Sequence, residues 1–383
     1  MGFGVVLCYN IPILIKRRER SMYYSLNNYC REHFGRKLYK ISLDGGFTCP
    51  NRDGKLGTRG CIFCSEGGSG DFAEKAGDDI RDQIEHGKLQ VARKMPVSGA
   101  PSTGNEHDQK GISNPGSYIA YFQAYTNTYG PIERMEKIFT EAIMHEDIAV
   151  LSIATRPDCL PDEVLDLLER LNRIKPVWVE LGLQTIHEKS ARYIRRGYSL
   201  DVFNRALVNL KSRGISVIVH VILGLPGETS EDIYQTIDYI AAGISVPAKN
   251  IPNLEQLMPS HEKKYSALEN NITVRADGIK LQLLHVLKNT DLALEYEKEK
   301  VPLLTLDEYL PLLAGCVRRL PPDMVIHRLT GDGPKKLLIA PLWTGNKRMV
   351  LNTLQKYFKE NQVTQGSLYT EQQSHKITPA DQT

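Results

Sequence analysis

Short apolar runs rich in β-branched and aromatic residues alternate with amphipathic helical stretches between about residues 118 and 290. Helical periodicity fills the intervals between the runs, and a further apolar run lies near the N-terminus. The pattern predicts strands at 38–43, 118–125, 149–155, 177–183, 216–223 and 278–287, and helices at 131–146, 161–174, 199–213 and 229–242. Six parallel strands separated by helices indicate an α/β fold, either a complete or partial βα barrel or a doubly wound sheet.

The predicted strand 177–184 has two different faces. Trp178, Glu180, Gly182 and Gln184 alternate with valines and leucines, and alternate residues of a strand face opposite sides of a sheet. A closed eight-stranded barrel normally fills its inside with Val, Ile and Leu, so a polar inner face favours a wider cavity that holds a polar ligand. The alternative is that these polar residues lie at exposed strand ends.

The repeating pattern covers only part of the chain, and four regions are expected. Residues 1–21 are an N-terminal extension that reads as upstream sequence, with Met22 as the true start. Residues 22–290 form the barrel, with inserted loops at about 96–115 and 243–277. Residues 291–365 form a small C-terminal α+β extension that covers the barrel, and the polar, Gln-rich residues 366–383 form a disordered tail.

Composition narrows the class of protein but does not identify its partner. Lys and Arg number 48 against 45 Asp and Glu, and the net charge of +3 is too small to argue for nucleic acid or an acidic membrane. The longest apolar run, 5–15, reaches about half of the ~20 residues that a spanning helix needs, so no membrane association is predicted. Seven cysteines without an export signal indicate a reducing, cytoplasmic location.

Three cysteines lie on a glycine-rich loop directly after the first predicted strand. Cys49 is followed by eleven residues, Cys61, two residues and Cys64. A Cys-x-x-Cys pair directs two thiolates at one metal centre, and a flexible loop brings the third, so a metal site is predicted. Three ligands fit a 4Fe-4S cluster whose fourth iron is open to a chelating cofactor. A four-ligand zinc site and a dithiol redox pair are the alternatives.

The sequence around these cysteines resembles the radical S-adenosylmethionine (SAM) superfamily. The segments CIFC at 61–64, ATRPD at 154–158, ELGLQT at 180–185 and HVILGLPGET at 220–229 are similar to the branch that contains the Elongator catalytic subunit and the oxygen-independent coproporphyrinogen oxidases. The segments ISLDGGFTCPNRDG at 41–54, YFQAYTNTY at 121–129, QLLHVLK at 282–288 and HRLTGDG at 327–333 resemble the YhcC/YtqA-type radical SAM proteins. The resemblance runs from about 22 to 362, apart from the two inserted loops, and implies a partial (β/α)6 barrel of the radical SAM type.

The resemblance also implies cofactors and roles for individual residues. Cys49, Cys61 and Cys64 would ligate three irons of a 4Fe-4S cluster, and SAM would chelate the fourth. Reductive cleavage of SAM would then give a 5'-deoxyadenosyl radical that abstracts hydrogen from the substrate. The other implied SAM contacts are Phe63, Gly224 and Pro226 at the adenine, Glu180 and Gln184 at the methionyl or ribose part, Gln123 and Asn127 at the amino group, and Arg156 at the carboxylate.

The substrate implied by the resemblance is a 5-substituted wobble uridine in tRNA, modified with loss of its carboxymethyl group. A small-molecule substrate, as in the porphyrinogen oxidases, and a non-catalytic zinc-binding module are the alternatives. An electron donor such as flavodoxin or ferredoxin is implied as a partner. His285, Arg328 and Asp332 are the candidate substrate contacts. His285 has the opposite parity from Gln282, so it should pack outward unless the strand has already ended.

Overall fold

The computed structural model describes residues 22–68, 70–71, 73, 79–92, 115–253, 271–298, 301–331 and 333–370. The predicted N-terminal extension and nearly all of the inserted loop at 96–115 lie outside these residues. Within them, no helix combines the length and the apolar character needed to cross a membrane.

A curled, half-barrel sheet of seven parallel strands forms the centre of the molecule, and its strand order is β1-β2-β3-β4-β5-β8-β10. The strands are β1 Tyr39–Leu43, β2 Tyr118–Phe122, β3 Ile148–Thr155, β4 Val177–Gln184, β5 Ser216–Leu223, β8 Gly278–Leu283 and β10 Val325–Arg328. The α/β fold class and the partial barrel are therefore confirmed, and all six predicted strands are present.

The seventh strand, β10, comes from beyond residue 290, where the sequence predicted a separate extension. It pairs with β8 over only a few residues, and its register shifts between Ile326 and Arg328. A strand of four residues is too short for a period-two pattern to mark it. The sheet therefore continues into the region that was predicted to cover it.

Two further strand pairs lie outside the main sheet. The predicted strand 278–287 is split, because β8 ends at Leu283 and β9, Val286–Leu287, pairs antiparallel with β11, Leu338–Ala340. Within the predicted loop at 243–277, β6, Ile244–Pro247, pairs antiparallel with β7, Asn271–Val274. The expectation of an irregular loop was wrong for these residues, because each strand is short and its partner is distant in sequence. Residues 254–270 lie outside the described part of the chain.

Helices cover the outer face of the sheet, and each predicted helix is present. Their bounds are α1 Leu26–Phe34, α2 Ile80–Ala92, α3 Ile132–Met144, α4 Asp162–Asn172, α5 Glu188–Tyr193, α6 Leu200–Lys211, α7 Ser230–Ala242, α8 Asp291–Tyr296, α9 Leu306–Arg319 and α10 Lys347–Glu360. In α3, for example, Met135, Ile138, Phe139 and Ala142 are buried at helical spacing. The apolar strand faces and these stripes form the main core.

The inner face of the half-barrel changes character along the strands. At the N-terminal ends, Ile119, Val150, Trp178 and Ile218 pack with Cys30 of α1, which plugs this end of the barrel. Two residues further along the strands, the inner face has a polar layer formed by Tyr121, Ser152, Glu180, His220 and Lys280. A polar ligand therefore has space only above this layer, towards the C-terminal ends of the strands.

The C-terminal region packs on the sheet and ties the two ends of the described chain together. Gln365 accepts a hydrogen bond from the backbone of Tyr24 at 2.8 Å and donates to the carbonyls of Pro321 and Met324 at 2.6 and 2.8 Å. The backbone nitrogen of Leu368 donates to the Arg318 carbonyl at 2.9 Å. Leu368 is therefore held by the C-terminal region, although the tail was predicted to begin at 366. Residues 371–383 lie outside the described part.

Candidate active site

Cys49, Cys61 and Cys64 line one cavity at the C-terminal ends of the parallel strands, where active sites of barrel folds gather. The backbone nitrogen of Cys64 donates to the Cys61 carbonyl at 3.1 Å, which turns both side chains towards the cavity. The three sulfur atoms do not all lie within 4.8 Å of one another. Tetrahedral zinc with Zn–S bonds of ~2.3 Å needs sulfurs roughly 3.8 Å apart. A 4Fe-4S cluster, in which each cysteine binds a different iron, accommodates the wider spacing.

A set of polar contacts that sequence reasoning missed supports the cysteine loop. The Asn51 amide donates to Cys61 Sγ at 3.3 Å and to the Arg195 carbonyl at 2.7 Å. The Arg52 guanidinium donates to the Cys64 and Ser65 carbonyls at 3.2 and 2.6 Å. Both residues follow Cys49 within the quoted motif, so their position in the loop was the available signal.

The surroundings of the Cys61 thiol favour its thiolate form. A hydrogen bond with Cys64 lowers its pKa to about 7, and burial opposes this shift. The Asn51 amide and the positive charges of Arg156 and Arg52 lower the pKa further. Because the thiolate is the form that binds metal, this environment prepares Cys61 to act as a ligand.

The floor of the cavity is a buried ionic cluster centred on Glu180. Its carboxylate accepts hydrogen bonds from Lys40 at 2.5 Å, from His220 Nε2 and Ser152 Oγ at 2.9 Å each, and from Lys280. Burial alone would raise the pKa of Glu180, but Lys280 and Lys40 outweigh it and hold the pKa well below its usual value. Burial lowers the pKa of His220 to about 4, so this imidazole is neutral near pH 7.

Models of two protein families match most of this architecture. The Radical SAM superfamily matches residues 56–240, and the Radical_SAM C-terminal domain matches residues 276–360. The uncharacterized protein YtqA of Bacillus subtilis is 38% identical over 360 residues, which cover 94% of this chain and 96% of YtqA. This chain belongs to the radical SAM superfamily.

Two weaker similarities are relevant to function. A tRNA uridine(34) acetyltransferase of Methanocaldococcus infernus is 32% identical over 100 residues, which cover 26% of this chain and 18% of that protein. The solved structure of the archaeal Methanocaldococcus infernus Elp3 with N-terminus deletion (1-46) superposes with a TM-score of 0.55 at 14% identity, and it covers 86% of this chain and 64% of that one. At this identity the superposition shows a shared fold alone.

Membership of the superfamily establishes the class of chemistry. The chain is a SAM-dependent radical SAM enzyme, and its cofactors are a 4Fe-4S cluster and SAM. The alternatives of a non-catalytic zinc-binding module and of a dithiol redox pair are therefore wrong. Three thiols around one cavity, with no fourth cysteine lining it among the described residues, fit a cluster that leaves one iron for SAM.

Of the eight residues that the radical SAM resemblance implied as SAM contacts, five line the cavity and three do not. Phe63, Gln123, Arg156, Glu180 and Gln184 line the cavity, whereas Asn127, Gly224 and Pro226 are absent from its lining. The Asn127 amide donates to the carbonyls of Phe122 and Ala154 at 3.0 Å each. It links the ends of two strands, and its contact with SAM stays a prediction.

The glycine turn after β5 packs against Leu304 of the C-terminal region. Gly224 has a φ of 82°, and a Cβ built there would lie 3.0 Å from Leu304. This position needs glycine because the left-handed backbone and the close leucine exclude a side chain. In the described structure the turn faces the C-terminal region rather than the cavity.

Three cavity residues have environments that bear on their predicted roles. Glu180 contacts the ammonium groups of Lys40 and Lys280, and its contact with the methionyl or ribose part of SAM stays a prediction. Arg156 forms an ion pair with Asp158 at 2.8 Å. Gln184 has a φ of 69°, and its buried Oε1 has no hydrogen-bond partner among the described residues. An acceptor held in this way is suited to bind a donor on a ligand.

Two of the three candidate substrate contacts, His285 and Arg328, line the cavity. The imidazole of His285 reaches it because β8 ends at Leu283, which is the exception stated for its parity. Gly331 and Gly333 leave space for the imidazole, since Cβ atoms built there would lie 2.6 and 3.3 Å from its ring. Asp332 lies outside the described residues.

Proposed function

We propose that this enzyme modifies the 5-substituted wobble uridine of a tRNA, with Cys49, Cys61 and Cys64 as the ligands of its 4Fe-4S cluster. The observation that carries the proposal is that the three thiols and a polar, cationic floor share one cavity. The name of one similar protein, tRNA uridine(34) acetyltransferase, supports the wobble uridine as the substrate. A cytoplasmic location and reduction by flavodoxin or ferredoxin are parts of the same proposal.

When bound, the cluster and SAM supply a primary radical that abstracts hydrogen from the substrate. The residues of the chain bind and orient the reactants. Gln184 offers its unpartnered amide oxygen to SAM, and Phe63 provides an aromatic surface beside the cysteines. The polar layer at Glu180 closes the lower side of the cavity, while the apolar plug beneath it excludes water from below.

The charge of the floor fits an anionic group on the substrate. The ammonium groups of Lys40 and Lys280 share the single carboxylate of Glu180, and the Arg328 guanidinium lines the same cavity. Burial and the nearby positive charges of Lys40 and Arg328 hold the pKa of Lys280 well below its usual value, so an anionic group in the cavity would favour its charged form. A carboxymethyl substituent on the uridine would bring such an anionic group to this site.

The proposal is tested in two stages under anaerobic conditions. First, reconstituted protein is analysed for iron and sulfide and for 5'-deoxyadenosine formed from SAM under dithionite. We expect Cys61→Ala to lose both iron and 5'-deoxyadenosine, and Cys30→Ala, which changes a buried thiol of α1 outside the cavity, to retain them. Full activity of Cys61→Ala would refute the ligand assignment.

Second, tRNA nucleosides from a strain that lacks the gene are compared by mass spectrometry with those of the parent strain. We expect a wobble uridine that retains its larger substituent to accumulate, and the purified enzyme to convert that tRNA. An unchanged wobble-uridine profile, together with intact 5'-deoxyadenosine formation, would contradict the tRNA substrate and favour a small molecule.

A further inference from the structure

A second concave surface lies on the outer side of the cysteine loop. We define this outer groove by Asn51, Leu56, Arg59, Glu188, Arg192 and Arg195, which line it. Gly60 and Tyr198 line both the outer groove and the active-site cavity. The segment that carries Cys61 is therefore the wall between the two.

Only one layer of residues separates the outer groove from the Cys61 sulfur. Two of its lining residues contact this atom directly: Asn51 Nδ2 lies 3.3 Å and the Arg195 carbonyl oxygen 3.6 Å from Cys61 Sγ. A Cβ built on Gly197 would lie 3.1 Å from Asn51 Oδ1 and 3.3 Å from Leu56 Cδ1. The glycine thus lets Leu56 approach the residues that hold Cys61.

The outer groove has an apolar residue among positive charges. The Leu56 side chain is exposed, with 52% of its surface accessible. Arg59 and Arg195 share the carboxylate of Asp291, and Arg192 and Arg196 share that of Glu188. Arg196 is buried and lines the active-site cavity, so the groove itself has three guanidinium groups against two carboxylates, which leaves one positive charge. An apolar centre with a charged rim is typical of a protein interface, and the positive rim attracts an acidic partner.

We propose that the outer groove docks an acidic one-electron carrier protein that reduces the cluster. The inference rests on the proposed ligation of the cluster by Cys61. One electron leaves the reduced carrier and enters the oxidised cluster, and no atoms are exchanged. Because electron transfer slows steeply with distance, entry through one residue layer is favourable, and it leaves the cavity on the other side of the loop free for SAM and substrate.

The arginines would also attract RNA phosphates, but two observations favour the redox partner. The exposed leucine fits a protein surface rather than a phosphate backbone, and two groove residues, Asn51 and Arg195, contact Cys61 Sγ. Complexes between redox partners also have small, transient interfaces, so the outer groove is sufficient as a docking surface.

The test compares two reductants of the reconstituted holoenzyme in stopped-flow absorbance measurements. Arg192→Glu reverses one charge of the outer groove, and its matched control is Arg173→Glu. Both arginines are exposed and form one ion pair with a glutamate four residues earlier, and Arg173 follows α4 directly, before the N-terminal end of β4. Leu56→Asp is paired with Met144→Asp, another exposed apolar residue, at the end of α3.

We expect cluster reduction by reduced flavodoxin to slow by about three- to tenfold in Arg192→Glu and Leu56→Asp, with a corresponding loss of binding affinity. Reduction by dithionite, which is too small to need a docking surface, should be unchanged, and both controls should match the parent. Unchanged flavodoxin kinetics and affinity in both variants would overturn the proposal. Weaker tRNA binding with unchanged flavodoxin binding would overturn it in favour of RNA.

Hydrogen exchange on the unmodified holoenzyme gives a second measurement that does not depend on variants. Addition of flavodoxin should protect amides within 55–60 and 192–199, and protection confined to another surface would overturn the proposal. Neither readout uses a tRNA substrate, so failure of the proposed substrate leaves both unaffected. An absence of iron in the parent protein would instead reveal failure of the cluster assignment.

Discussion

The buried ionic cluster at Glu180 makes a quantitative prediction about stability. Its side chain is fully buried and accepts hydrogen bonds from Lys40, Lys280, His220 and Ser152. Glu180→Gln preserves the shape of this side chain but removes its charge. The N–H donors of the new amide group would face the ammonium donors of the lysines. Because the carboxylate charge is gone, Lys280, which is 3% exposed, would have no counter-ion.

Removal of one partner from a buried ion pair costs about 3–5 kcal/mol, because the remaining charge stays desolvated. Glu180→Gln should therefore lower the free energy of unfolding by about that amount. Lys280→Met is expected to cost less, about 1–3 kcal/mol, since Glu180 retains Lys40, His220 and Ser152 as partners. The two substitutions together should cost about 2 kcal/mol less than the sum of the single costs, because they remove both members of one pair.

The assay is urea unfolding of the four proteins of this cycle, purified without oxygen and followed by circular dichroism at one pH and one salt concentration. Retained slopes of the unfolding transition would show that the same structure unfolds in each case. A cost below about 0.5 kcal/mol for Glu180→Gln, or strictly additive costs, would refute the account of the floor as a coupled ionic cluster.

Three further predictions concern the cysteine loop, helix packing and pH. Asn51→Ala removes the N–H donor to Cys61 Sγ, so the Cys61 pKa should rise above about 7, and the reduction potential of the cluster should fall. Alkylation of the metal-free protein as a function of pH measures the pKa, and spectroelectrochemistry measures the reduction potential. An unchanged alkylation profile would contradict the role of Asn51. Gly87→Ala should destabilise the protein by about 1–3 kcal/mol in urea unfolding, because the added Cβ would lie 2.2 Å from Ile41 Cγ2. This cost should exceed the gain from the higher helix propensity of alanine. A gain in stability would show that the core relaxes freely at this position. Because the pKa of Glu180 is lowered in the folded protein, its contribution to stability is complete above pH 4.5 and is lost as the pH falls through the pKa of the folded state. The difference in unfolding free energy between the parent and Glu180→Gln should therefore become smaller in acid. A constant difference from pH 7 to pH 3 would contradict the lowered pKa.

The amino-acid sequence alone predicted the strands with clear periodicity and the cysteine loop. Periods of 2 and 3.6 are local properties, so 177–184 identified both faces of β4 without knowledge of its neighbours. The spacing of Cys49, Cys61 and Cys64 is likewise local, because one loop carries all three. The same parity analysis placed Glu180 and Gln184 on the inner face, where the structure has them.

Tertiary structure decided what these residues contact. Lys40 and Lys280 lie 140 and 100 positions from Glu180 along the chain, and only the curvature of the sheet brings them to the same carboxylate. That contact places Glu180 at the centre of the cavity floor. Asn127 similarly became a link between strand ends, because the carbonyls that it binds were not identifiable from its own segment.

Short elements with distant partners were also beyond the reach of sequence patterns. The four residues of β10 gain their hydrogen bonds from β8, and β6 gains its own from β7, so neither strand has a signature of its own. Local periodicity therefore determined the type and order of the longer elements and the metal-binding loop. Long-range packing determined the seventh strand, the charge balance of the cavity and the outer groove beside Cys61, because those features depend on which distant residues meet.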